Sequence, residues 1–162
     1  MSQATGLSEF VTGLTPYLPL ALTIVGWVVL SGQQDKRERR KEIRELVRMI
    51  ESRVDKILEL TTEYYGLAGS DPKCASLEQI IFQSFNAIRT IRGRLVSAGF
   101  RCNVDSEYLK FHQAATGGDF QSRSRLPNTE NIEVIGPIAA CGFTLVGKID
   151  RAYFEKFSVS VS

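Results

Sequence analysis

The side chains best suited to chemistry in this chain of 162 residues are one histidine and three cysteines. His112 is the one group whose ordinary pKa suits acid-base work near neutral pH. Cys74, Cys102 and Cys141 form no Cys-x-x-Cys pair, so a zinc site would need them to converge with the histidine. We therefore expect free thiols in a reducing compartment, and no metal site.

No further catalytic pattern accompanies these residues. The run from Gly142 to Lys148, GFTLVGK, has the glycine and lysine spacing of a phosphate-binding loop, but Ile149 follows where Ser or Thr is needed. His112 invites comparison with the HEPN ribonucleases, whose signature places an Arg before the His with four to six residues between them. The positions that would hold this Arg, residues 105–107, are Asp, Ser and Glu, so the signature is absent. A non-nucleolytic protein with the same helical fold is still an alternative. The sequence thus predicts no enzyme, no catalytic residue and no cofactor.

Charge is distributed unevenly along the chain. Twenty Lys and Arg against eighteen Asp and Glu give a net charge of +2, and 43% of the residues are apolar. These averages exclude a disordered acidic tail and a disulfide-rich miniprotein. Residues 1–34 hold a single charge, Glu9, so the remainder of the chain carries 20 positive and 17 negative side chains.

The uncharged segment predicts a membrane span. Between Glu9 and Asp35 lie 25 residues without charge, and about 20 apolar residues cross the hydrocarbon core as a helix. We predict a transmembrane helix over residues 14–32, after a short external N-terminus over residues 1–13. The alternatives are a cleaved signal peptide, which would need basic residues ahead of the apolar stretch, and a buried helix of a soluble core.

Basic residues directly after the predicted span indicate its orientation. Lys and Arg are retained on the cytoplasmic side of a membrane, and none precedes the span. We expect a single-pass protein of the inner or plasma membrane, with the N-terminus outside and the C-terminus in the cytoplasm. Interleaved carboxylates leave residues 35–45 at +2, so we expect contact with lipid headgroups and no nucleic-acid partner. The residues predicted to set topology at the membrane surface are Lys36, Arg37, Arg39, Arg40, Lys41 and Arg44.

One face of the predicted span carries small and weakly polar residues at helical spacing. Thr15, Thr23 and Gly26 would let two helices approach closely in lipid and hydrogen-bond across the contact. We predict that these three residues mediate helix association in the membrane. A water-exposed pore lining is the alternative, although the face holds no ionisable group.

A long helix should follow the span. Residues 33–65 contain no Gly or Pro and predict one basic amphipathic juxtamembrane helix. Its apolar stripe includes Ile43, Ile50 and Ile57, for which we predict a role in cytosolic assembly. The stripe is wide, which favours packing against other helices of the same domain, while an intermolecular coiled coil is the alternative.

Residues 66–162 predict the remainder of an all-α cytosolic bundle. The predicted elements are a helix from Asp71 or Ser76 to Gly99, a helix over 105–115, an exposed loop over 117–131 and a helix over 132–157. Arg123 and Arg125 in the loop would either bind an anionic ligand or be solvated. The uncharged stretch 134–147 is short for a second span, so we interpret it as a buried helix, with a re-entrant or spanning helix as the alternative.

The layout of the chain resembles the small bacterial membrane effectors of antiphage systems, including CRISPR-associated ones. The resemblance covers the short outward N-terminus, the single span, the basic helix and the small helical cytosolic domain. It implies a homo-oligomer that perturbs the membrane or forms a pore in antiviral defence. The alternative function is a non-catalytic membrane anchor or accessory subunit, which binds a protein partner through the cytosolic bundle.

Overall fold

The computed structural model describes residues 18–127 and 132–158 of the chain. Over these residues the protein is all-α and contains no strand. The four helices are α1 (Leu18–Gly66), α2 (Lys73–Ser97), α3 (Asp105–Thr116) and α4 (Ile132–Phe157).

The chain divides into two compact units, Met1–Arg40 and Lys41–Ser162. In the first unit the described part is the beginning of α1, where Trp27 is exposed. Among the described helices, none combines the length and the hydropathy that crossing a bilayer requires. Residues 14–17, the first four of the predicted span, lie outside the described residues.

The core of the second unit begins with one stripe of α1. Side chains from Ile43 to Tyr64 are buried at intervals of three or four residues, as an amphipathic helix packed on its neighbours requires. Burying one such side chain stabilises the fold by roughly 1.5–3 kcal/mol. The α1 residues of this stripe are Ile43, Leu46, Val47, Ile50, Val54, Ile57, Leu60 and Tyr64.

The second helix, α2, begins close to the earlier of its two predicted starts. Asp71 accepts a hydrogen bond from the backbone N–H of Lys73 at 2.8 Å, which satisfies a donor at the start of the helix. Beyond the other end, Gly99 has φ of +75° and the N–H of Phe100 bonds the carbonyl of Leu95 at 2.8 Å. This is a Schellman turn, and it places the Phe100 ring in the core.

The buried face of α2 includes only one of two adjacent isoleucines. Ile80 is 41% exposed, whereas the neighbouring Ile81 is fully buried. Both positions fit an apolar period of 3.6 residues, and contacts with the other helices place Ile81 in the core. The buried residues of α2 are Cys74, Leu77, Ile81, Ser84, Phe85, Ile88, Ile91 and Leu95.

The last helix, α4, packs against α1 and α3 through an apolar face. Ile138, Leu145 and Ile149 are buried, which agrees with the interpretation of residues 134–147 as a buried helix. Gly142 lies on the same face, where an added Cβ would stand 2.9 Å from Val54 Cγ1. Close approach of α4 to α1 therefore depends on the absence of a side chain at position 142.

Candidate functional site

The residues predicted to associate in the membrane belong to the first unit or precede it. Thr15 lies outside the described residues. Thr23 is exposed on α1, and Gly26 follows it three residues later in the same helix. Association through these residues stays a prediction.

The basic cluster divides into two groups. Lys36, Arg37, Arg39 and Lys41 are exposed and Arg40 is half-buried. Arg44, in contrast, belongs to the bundle: its Nη1 lies 2.6 Å from Asp150 Oδ1 on α4. The hydrogen bond to Asp150 raises the pKa of Arg44. Arg44 thus forms a structural ion pair between α1 and α4, and its role at the membrane surface stays a prediction.

Ile43, Ile50 and Ile57 lie in the core of the second unit. Each of these side chains is at most 1% exposed. Packing within one chain already accounts for all three, as the interpretation favoured by the wide stripe predicts. A role in contacts between chains stays a prediction, which would require these side chains to leave the core.

The loop predicted over 117–131 is anchored to the end of α1 in its described part. The Phe120 ring centroid lies 4.8 Å from that of Tyr64. Arg125 Nη2 donates to the carbonyls of Tyr64 at 3.0 Å and Leu67 at 3.3 Å. Carbonyls at a helix C-terminus carry partial negative charge, which explains how a buried guanidinium is tolerated there. Arg125 is therefore a structural anchor, whereas Arg123 is exposed.

A second observation concerns the other nitrogens of Arg125. Nε and Nη1 are buried and have no hydrogen-bond partner among the described residues. The guanidinium carbon lies 3.9 Å from the Tyr64 ring centroid, so a cation-π contact covers the face of the group. The adjacent surface depression is also lined by Asp119 and Glu133, whose charges oppose the binding of an anion. We therefore do not assign a ligand site to Arg125.

A more suitable site is a cleft of about 480 Å³ at the junction of α2 and α3. Its volume falls within the range of roughly 300–1,000 Å³ that small-molecule sites occupy. The Schellman turn at Gly99 builds the floor, because it reverses the chain and directs Phe100 inward. The apolar lining residues are Leu95, Val96, Phe100, Val104 and Ile149.

Two arginines from α2 stand at this cleft. Arg89 is exposed, and among the described residues no carboxylate lies within ion-pair distance of it. Arg92 pairs with Asp105 at the start of α3, and its guanidinium carbon lies 5.1 Å from the Tyr108 ring centroid. The Asp105 side chain is 83% exposed, so solvent screens its charge. The cleft thus joins an apolar floor to a rim with two positive charges, Arg89 and Arg92, and one negative charge, Asp105.

The remaining polar groups of the cleft are neutral at physiological pH. Burial raises the pKa of the Tyr108 hydroxyl and also that of the Cys102 thiol. The Tyr108 hydroxyl donates to the carbonyl of Phe85 at 3.2 Å. Cys102 is half-buried and its thiol points to the carbonyl of Lys148 at 3.9 Å. These groups suit binding, because a raised thiol pKa reduces the fraction of reactive thiolate.

His112 lies apart from this cleft, in an aromatic environment. Its ring centroid is 4.8 Å from that of Phe85, and Nδ1 is 3.2 Å from the Thr116 hydroxyl. Burial lowers the pKa of His112. Over residues 18–127 and 132–158, no group of three or more His, Cys, Asp or Glu side chains could hold a metal ion.

Sequence reasoning missed Arg89 and Arg92. Their spacing of three residues places both guanidinium groups on one side of a helix, which is a readable signal. The opposite wall, formed by residues 100–108, depends on the reversal of the chain at Gly99. The cleft could not be recognised without that tertiary contact.

Comparison of the chain with known protein families, with curated proteins and with solved structures found no match.

Proposed function

We propose that this protein is a membrane-anchored accessory protein. Its N-terminal segment spans the inner or plasma membrane once, with the N-terminus outside. The helical unit from Lys41 onward stands in the cytoplasm and binds a partner without catalysing a reaction.

Two features of the sequence support the membrane anchor. The 25 residues between Glu9 and Asp35 carry no charge, and five basic residues follow within residues 36–41. Such an asymmetry is typical of a single span whose basic side faces the cytoplasm. The single helix α1 contains most of the uncharged stretch and all of the basic one.

One observation favours an anchor over an oligomeric effector. The apolar stripe of α1 is buried in the core of its own unit, where Ile50, Val54 and Ile57 have no exposed surface. A coiled coil between chains would need the same face. The cytosolic part therefore needs no second copy of the chain to bury its apolar surface.

Topology can be tested with reporters that are active on one side of the membrane only. We would replace Lys36, Arg37 and Lys41 with Gln, leaving Arg44 because it pairs with Asp150. If the proposal holds, the wild-type C-terminus reports the cytoplasm and the variant loses that uniform orientation. A matched control replaces Arg53, Lys56 and Lys110 with Gln and should keep the wild-type orientation. Recovery of the wild-type chain in the soluble fraction would contradict the anchor.

The role of an accessory subunit predicts a partner. Affinity purification from native membranes should return an unrelated protein in fixed stoichiometry, and expression of the chain alone should leave the membrane potential unchanged. Mass measurement after extraction of the chain expressed alone should give a monomer. A closed homo-oligomer that depolarises cells would overturn this proposal in favour of the effector.

The second candidate is the membrane-perturbing homo-oligomer that the chain layout implies, as in antiviral defence. Thr23 is exposed on the uncharged part of α1, and Gly26 follows it three residues later; small and weakly polar residues on one helix face favour close approach of helices in lipid. A Gly26→Leu variant should then lose toxicity while it stays in the membrane. Unchanged toxicity of this variant would contradict the effector hypothesis.

A further inference from the structure

The structure assigns a ligand class to the cleft between α2 and α3: we propose that it binds a small amphipathic anion, an apolar chain that carries one anionic group. This inference does not depend on the membrane anchor. It rests on the shape, lining and charge of the cleft.

The apolar part of the ligand is indicated by the floor. Phe100 and Val104 line the base of the cleft and are 1% exposed, whereas Val96, which also lines it, is 52% exposed. An exposed valine at the edge of a buried apolar floor is covered when an apolar chain occupies the cleft. A volume of about 480 Å³ accommodates a chain of moderate length.

The anionic group is indicated by the rim. Arg89 has no carboxylate partner within ion-pair distance among the described residues, and Arg92 has only the largely exposed Asp105. Because Arg92 rests on the Tyr108 ring, its guanidinium is held in place before a ligand arrives. Guanidinium groups bind carboxylate and phosphate strongly through charge-assisted hydrogen bonds.

Position 93, beside Arg92, leaves open space at the edge of the cleft. Gly93 is exposed and lines the cleft, and an added Cβ there would meet nothing within 4 Å. A ligand can therefore pass its apolar chain over position 93. The Cys102 thiol also lines the cleft and provides a reporter of occupancy.

The test uses protection of Cys102 from alkylation, followed by mass spectrometry of the full chain. Cys141 is half-buried on α4 outside the cleft and serves as the reference thiol. The protein is kept free of detergent, in phosphatidylcholine nanodiscs or, if it proves soluble, in buffer. Decanoate should slow alkylation of Cys102 and not of Cys141, whereas decanol and acetate should protect at least about tenfold less well.

Two variants test the rim. Arg89→Gln should weaken protection by decanoate about tenfold, and because Arg89 is exposed this variant should fold normally. The matched control is Arg94→Gln, an exposed arginine of the same helix that does not line the cleft, and it should bind like the wild type. Nanodiscs that contain phosphatidylglycerol distinguish the source: protection there without decanoate indicates a membrane lipid, and protection by decanoate alone indicates a soluble carboxylate.

The proposal is overturned by either of two results. Equal protection by decanoate and decanol would show that the rim contributes nothing to binding. Failure of both decanoate and phosphatidylglycerol to protect Cys102 would show that the cleft does not bind this class of ligand.

Discussion

The guanidinium carbon of Arg125 lies 3.9 Å from the ring centroid of Tyr64, and its Nη2 donates to the backbone carbonyl of the same tyrosine. Tyr64 in turn accepts a hydrogen bond from the backbone N–H of Gln121 at 2.8 Å through its hydroxyl oxygen. The tyrosine near the end of α1 is thus bound at its carbonyl, its ring and its hydroxyl by one loop. A loop composed mainly of polar residues is anchored to the core in this way.

Loss of this anchor should destabilise the second unit. We expect Arg125→Ala to lower the free energy of unfolding by about 2–3 kcal/mol, since a cation-π contact and charge-assisted hydrogen bonds are lost. Urea unfolding measures the change. The control Arg123→Ala, at an exposed position of the same loop, should stay within about 0.5 kcal/mol. Equal effects of the two substitutions would contradict the anchor.

Two glycines of α4 should respond in opposite directions to alanine. At Gly142 a new Cβ meets Val54 Cγ1 at 2.9 Å and the Phe111 ring at 3.1 Å, so Gly142→Ala should cost about 1–3 kcal/mol. At Gly147 nothing lies within 4 Å, so Gly147→Ala should stabilise by up to about 1 kcal/mol through helix propensity. Thermal unfolding of both variants measures the difference. A gain at position 142 would show that α4 does not approach α1 this closely.

The single histidine should make the stability depend on pH. Burial lowers the pKa of His112 below 6.5, so the unfolded chain binds the proton more readily than the folded one. The stability that depends on a neutral His112 is fully present above pH 6.5, and it is lost as the pH falls toward the lowered pKa. NMR titration of the one imidazole should give a midpoint below that of the urea-unfolded chain, and His112→Gln should reduce the loss of stability in acid. Identical midpoints would refute the effect.

Substitution within the α1 stripe should affect folding and leave the oligomeric state unchanged. Ile50 has no exposed surface, so Ile50→Ala should cost about 2–5 kcal/mol of stability. Met49 is 37% exposed, and Met49→Ala should change stability by about 0.5 kcal/mol or less. Unfolding curves and mass measurement of both variants provide the data. Dissociation of an oligomer in Ile50→Ala, at unchanged stability, would instead support assembly through this stripe.

Much of the helical fold was readable from the sequence because its signals are local. The periodic stripe of α1 and the terminator at Gly99 both follow from residues within one turn of each other. The predicted third helix, residues 105–115, agrees with α3 to within one residue at its end. Ile80 and Ile81 show the limit, since the apolar period allows either to be buried and contacts with other helices select Ile81.

The loop and the cleft depend on distant parts of the chain. Arg125 is buried because it donates hydrogen bonds to carbonyls near the end of α1. These carbonyls lie more than fifty residues earlier in the sequence, so no local pattern predicts the contact. The composition of residues 117–127 predicts exposure, which is correct for Arg123 and wrong for Phe120 and Arg125. Similarly, Arg89 and Ile149 line one cleft although sixty residues separate them.

The anchoring of Arg125 also determines where a protease can cut. Trypsin must insert an arginine into its acidic specificity pocket before it cleaves the bond that follows. The side chain of Arg123 is exposed and can be inserted, whereas that of Arg125 must first leave Tyr64 and the end of α1. Limited proteolysis with trypsin can therefore distinguish two states of this loop. Cleavage after Arg123 occurs while the loop is anchored, whereas cleavage after Arg125 requires its release from Tyr64 and the end of α1.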